Sequence, residues 1–127
     1  MSTSSILFVM LGGALGSVAR YFFSVIFSNT SSAFPYSTFI INIIGSLIIG
    51  CIFALYQHQI ISEKGRLFFA VGICGGFTTF SSLSLEVLQL LQQGKVAVAL
   101  GYIFLSLLLG IAAVFSGYKV GQLIGNH

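Results

Sequence analysis

The stretch GGFTTFSSLSLE, residues 75–86, decides how this chain is read. It lies within an apolar run, yet it holds paired glycines, paired threonines, three serines and Glu86, one of only two acidic residues in the chain. Glycine costs a helix about 0.8–1.0 kcal/mol relative to alanine, and adjacent β-branched residues lose side-chain freedom there. With Thr79 at the centre of the run, the pattern predicts a break in a helix halfway across a membrane. Freed backbone groups cannot face lipid, so such a break must be buried against protein or line a cavity. Its carbonyls could hold a cation, and the half-helix that follows would turn N–H groups and its positive dipole end inward. The other reading is a continuous glycine-rich helix packed tightly on a neighbour.

The membrane setting follows from composition. A chain of 127 residues with 57% hydrophobic and 6% charged residues cannot cover itself with a charged, water-facing surface. Its mean hydropathy is +1.07. About 20 mostly apolar residues cross the hydrocarbon core. Counting on that basis gives four spans, at residues 6–27, 38–56, 67–91 and 96–120, in one transmembrane domain covering residues 1–127. The first span lacks a basic leader and a convincing small-residue cleavage site, which distinguishes it from a signal peptide.

Orientation is weakly encoded. With four spans, Lys64, Arg66 and Lys119 share one side, while Lys95 and Arg20 lie towards the other. Because Lys and Arg in short loops set topology, so small a bias permits insertion both ways and an antiparallel homodimer. A fixed orientation set by other features is the alternative. Four short helices offer little room for a protected pathway, which favours self-association in either case.

The helix faces carry the chemistry. Thr38, Asn42, Ser46 and Gly50 recur every four residues and share one stripe of the second span. Tyr102, Ser106 and Gly110 repeat the spacing in the last span, and Gly12 and Gly16 lead to Arg20 in the first. Small residues at this spacing commonly mean close helix packing, and the polar ones serve either as packing glue or as pathway. Arg20 is either a snorkelling anchor or a positive lure for anions in an aqueous vestibule. Beyond the predicted break, Phe80 and Leu83 share one face and Thr79, Ser82 and Glu86 another. An aromatic ring has a positive rim, so an anion can approach its edge while hydroxyls and the Asn42 amide donate to it. Glu86 suits an anion path poorly and must be protonated, paired or placed beyond the constriction.

Other chemistries find little support. His58 and His127 fall in a loop and at the terminus, without the acid or cysteine partners that a metal site or catalytic triad needs. Cys51 and Cys74 fall within spans and read as small apolar packers. An enzyme is not expected. A net charge of +3, scattered along the chain, gives no nucleic-acid footprint.

Three motifs, GGALGSVARY (residues 12–21), STFIINIIGSLIIG (37–50) and GICGGFTTFSSLSLE (72–86), together resemble those of the CrcB/Fluc fluoride channels. The resemblance covers essentially the whole chain. It implies an all-α membrane protein of the bacterial inner membrane, with the third of four helices broken. It also implies a dual-topology antiparallel dimer that exports fluoride passively through two pores, around a central structural sodium ion. By the same resemblance, carbonyls of Gly75 and Thr78 would hold that ion in both copies. Asn42 would be the pore-lining amide and Phe80 the aromatic whose edge meets fluoride. Tyr102 and Ser106 match a polar track, with Thr79, Ser81 and Thr38 beside it, and Arg20 and Glu86 match the family's vestibule arginine and third-helix glutamate.

One departure stands out: where the family reads TTFSTF, this chain reads TTFSSL, with Ser82 for threonine and Leu83 for the second phenylalanine. Serine keeps the hydroxyl, but leucine has no ring quadrupole, so slower fluoride conduction is expected. A weakly conducting subunit of a heterodimeric channel is a further reading. A small multidrug-type, proton-coupled exporter is the alternative of a different class. It requires a carboxylate in the first span, where this chain has Arg20 and no acid.

Overall fold

In the computed structural model, which describes residues 2–127, the interior of the chain is helix and short turns. Helix α1 (Thr3–Ile26) begins where the Ser2 side chain accepts the Ser5 N–H at 3.2 Å, satisfying one of the donors that a helix start leaves open. Helix α2 (Tyr36–Gln57) starts just after Pro35. A short helix α3 (Glu63–Arg66), capped by Ser62, leads into a π-helical stretch (Leu67–Cys74) and a single turn, α4 (Gly75–Phe77). Helix α5 (Phe80–Gln92) follows after two non-helical residues, and α6 (Val96–Gly125) closes the chain.

Four segments are long and apolar enough to cross a membrane: Thr3–Ile26, Tyr36–Gln57, Glu63–Gln92 and Val96–Gly125. Among the described residues there is no strand. The helices outrun the apolar stretches read from sequence, most clearly at the end of α6, because helical geometry continues into the polar residues that flank a span. The turn between α5 and α6 is closed by Gly94 at φ +72, a conformation that glycine adopts without strain. There the Lys95 N–H donates to the Leu90 carbonyl at 2.9 Å and the Gly94 N–H to Leu91 at 3.0 Å, a Schellman ending.

The segments pair in two parallel couples, each joined through glycines. A side chain at Gly12 would be driven into the Phe68 carbonyl and one at Gly16 into the Ile73 carbonyl, which couples α1 to the third segment. On the other side Gly50 meets the Val114 carbonyl and Gly117 the Leu47 carbonyl, and α2 packs more extensively on α6 than on any other element. Such contact needs bare backbone on one partner, which is the physical content of the four-residue spacing of small residues. Gly76 belongs to this set: it is helical, and a Cβ there would lie 2.5 Å from the Gly13 carbonyl.

The deep core is small and centred on α2 and α6, with Ile41, Ala54, Ala99 and Tyr102 essentially inaccessible. Large apolar side chains cover the exterior of every span. That surface suits lipid or a second protein chain rather than water.

Candidate functional site

The third segment leaves helical geometry at two residues. Thr78 has φ −79, ψ 156 and Thr79 φ −154, ψ 121, both extended, and α5 resumes at Phe80. Gly75 and Gly76, by contrast, stay helical. Each peptide group in such a gap loses its helical partners and must find others.

Asn42 supplies them. The Thr79 N–H donates to Asn42 Oδ1 at 2.9 Å, and Asn42 Nδ2 donates to the Thr79 carbonyl at 3.2 Å. One side-chain amide thus replaces both neighbours that a helix would have provided. The Asn42 amide carries two N–H groups, so one remains after this clamp is made. The Thr79 hydroxyl meanwhile caps α5, accepting the Ser82 N–H at 3.2 Å, and lies 3.1 Å from Ser81 Oγ and 3.3 Å from Ser82 Oγ. Close approach of α2 to the gap depends on Gly45, where a Cβ would be driven into the Thr78 methyl group.

Two cavities meet at Thr79. The smaller, about 260 Å³, is lined by Asn42, Ser46, Thr78, Phe80 and Leu83 as well as Thr79. The larger, about 500 Å³, is lined by Arg20, Ser37, Thr38, Ser82 and Glu86, again with Thr79. Phe80 stands 81% exposed at the side of the smaller cavity. Arg20 faces the larger cavity, and among the described residues the only ion pair is Arg66 with Glu63, far along the chain from it.

Glu86 is paired rather than loose. Thr38 Oγ1 donates to one carboxylate oxygen at 2.6 Å and the Tyr102 hydroxyl to the other at 2.7 Å. Tyr102 itself is fully buried. Hydrogen bonds from two hydroxyls make a carboxyl group tolerable away from bulk water.

The structure therefore brings Asn42, Thr78, Thr79, Phe80 and Leu83 to one cavity, and Arg20, Thr38, Ser82 and Glu86 to the other, with Tyr102 behind Glu86. Ser81 is exposed and touches Thr79. Ser106 lines neither of these cavities; its hydroxyl is buried without a hydrogen-bond partner. Gly75 is exposed at the start of α4, beside the gap rather than in it. Sequence reasoning missed Gly45, Ser37 and Phe34, whose ring lies 5.3 Å from that of Tyr102. The lone proline following Phe34 is the one sequence signal that could have drawn notice to it.

Four apolar spans, with an interrupted helix where two polar-lined cavities meet, define a multi-pass helical membrane protein of the channel or transporter kind. Comparison with known proteins narrows the class. A family profile described as "CrcB-like protein, Camphor Resistance (CrcB)" matches residues 7–118. A protein of Thermus thermophilus, named fluoride-specific ion channel FluC, is 50% identical over 116 residues, covering 91% of this chain and 93% of its own. Proteins of the same name from Bacteroides fragilis and Nitrobacter winogradskyi are 41% identical over 121 residues and 40% over 126, covering 92% and 98% of this chain and 95% and 100% of theirs. This chain belongs to the CrcB family. It is a multi-pass protein of the bacterial plasma membrane.

Proposed function

We propose that the chain is a passive, fluoride-selective channel that relieves the cytoplasm of fluoride, working as an antiparallel dimer with two pores and a sodium ion at the dimer centre. The observation that carries this reading is the Thr79 junction, where the Asn42 clamp separates a cavity holding Arg20 from one holding Phe80. Arg20 raises the local anion concentration in the larger cavity. The Ser82 hydroxyl then offers a donor to a small anion shedding its water, the Thr38 and Thr79 O–H groups being engaged on Glu86 and Ser82, while the remaining Asn42 N–H and the Phe80 ring edge receive it beyond the junction. The printed names of relatives at 40–50% identity support fluoride as that anion. Hydrogen fluoride enters cells as a neutral weak acid and dissociates inside, so a passive leak driven by the membrane potential suffices for export. The reading assigns the chain no catalytic chemistry.

What a single copy leaves uncovered supports the second copy of this reading. Phe80 is almost fully exposed beside polar groups, and a gap in a membrane helix needs protein around it. Backbone carbonyls suit the sodium ion. In a continuous helix the Thr79 N–H would donate to Gly75; here Asn42 takes that proton donor, so the Gly75 carbonyl loses its helical partner. Among the described residues no hydrogen bond reaches the Thr78 carbonyl either. Leu83 in the same cavity as Phe80 favours slower conduction than a second aromatic ring would give.

The test is efflux from liposomes containing the purified protein, loaded in turn with fluoride and chloride and read with ion-selective electrodes. Rapid fluoride loss with chloride retained is expected. Equal loss of both ions, or retention of both, refutes the proposal.

A further inference from the structure

The loop between α1 and α2 is held at one point. The Tyr36 N–H donates to the Phe34 carbonyl at 2.9 Å across Pro35, whose φ −78 and ψ 71 are those of an inverse γ-turn. On the other flank the Phe34 N–H donates to Ser32 Oγ at 3.2 Å. Proline fixes φ and so stiffens this turn. The turn directs the Phe34 ring into an aromatic cluster, 4.8 Å from Tyr36, 5.2 Å from Phe39 and 5.3 Å from Tyr102 between ring centroids. Phe34 thereby bridges the start of α2 to the first turns of α6.

We infer that Phe34 is a positioning residue: its ring holds the Tyr102 ring in the orientation that puts the phenol on Glu86, and so keeps the Glu86 carboxyl against the wall of the larger cavity. This rests on the proposed fluoride pathway for its functional consequence, but not for its geometry. The Tyr102 phenol donates to Glu86 Oε2 at 2.7 Å, and the Phe34 ring packs on the same Tyr102 ring from the loop side, 5.3 Å away between centroids. Glu86 shares its cavity with Arg20. Released from Tyr102, it retains only the Thr38 hydroxyl, and its negative charge moves freely among the groups that attract anions.

The chain's two acidic residues are both glutamates, Glu63 and Glu86, which makes the carboxyl group directly observable. Protein labelled with carboxyl-¹³C glutamate gives two side-chain signals, and Glu63→Gln identifies which is Glu86. Phe34→Leu is expected to shift the Glu86 signal in the same direction as Tyr102→Phe does, while Phe34→Tyr, which keeps a ring, leaves it in place. Phe39→Leu, which removes another ring of the cluster, should leave it unmoved as well. In the efflux assay Phe34→Leu should slow fluoride by about two- to tenfold, the factor that one net hydrogen bond is worth. That loss should vanish when Glu86→Gln is already present, since coupled residues are not additive. Should Phe34→Leu fail to give folded protein, Phe34→Met carries the same comparison.

An unmoved Glu86 signal in folded Phe34→Leu protein overturns the inference, as does an equal shift from Phe39→Leu. If wild-type protein passes no fluoride, the pathway proposal fails, while the carboxyl signal still decides the role of Phe34.

Discussion

Thr79 has both of its peptide groups held by one side chain, and that makes Asn42 the residue on which the interruption depends. Replacing it with leucine keeps the bulk and strands a donor and an acceptor, each costing about 1–3 kcal/mol when buried without a partner. Asn42→Leu should therefore lower the melting temperature in detergent as well as abolish fluoride efflux, whereas Phe80→Leu should slow efflux with little change in melting. Leu83→Phe restores a second ring at the smaller cavity and is expected to raise the fluoride rate at unchanged selectivity; an unchanged rate would show that the leucine is not what limits conduction. Much of this set was legible as residue types at helical spacing, because Thr38, Asn42 and Ser46 share a stripe and Thr79 with Ser82 and Glu86 another. The pairing of Asn42 with a backbone group, and of Tyr102 with Glu86, was not. Those contacts join positions 37 and 16 residues apart in the chain, and no local pattern reports which partner a polar side chain finds.

At the scale of elements, the apolar counts located four segments because a bilayer imposes length directly on sequence. The stretch LFFAVGIC offered no comparable handle. It is apolar at nearly every position, so its π-helical winding leaves no trace in a polar-to-apolar rhythm. The glycines were legible as contact points, but not as which contacts: Gly75 and Gly76 point to the place of the break, whereas the extended residues are Thr78 and Thr79, and Gly76 serves the approach of α1. Gly45, which sequence reasoning passed over, meets the gap itself. Gly45→Ala would force the added methyl against Thr78 and should cost about 1–3 kcal/mol, the range for overpacking. Gly101→Ala, inside α6 where a Cβ meets nothing within 4 Å, should instead raise the melting temperature in the same assay, by up to about 1 kcal/mol of helix stability.

For the whole molecule, the proposed channel requires the interrupted third segment and its exposed Phe80 to lie against an inverted second copy within the membrane. The chain's own surface motivates this, since its small core leaves large apolar side chains outward on every span and its basic residues are nearly balanced between the two ends. The direct measurement is orientation. With Cys51 and Cys74 replaced by serine and a single cysteine introduced as His127→Cys, intact cells are treated with a membrane-impermeant maleimide before and after permeabilisation. About half of the chains should react before permeabilisation, the remainder only after, as inverted copies in one dimer require. Labelling of all chains from a single side would rule out the inverted dimer.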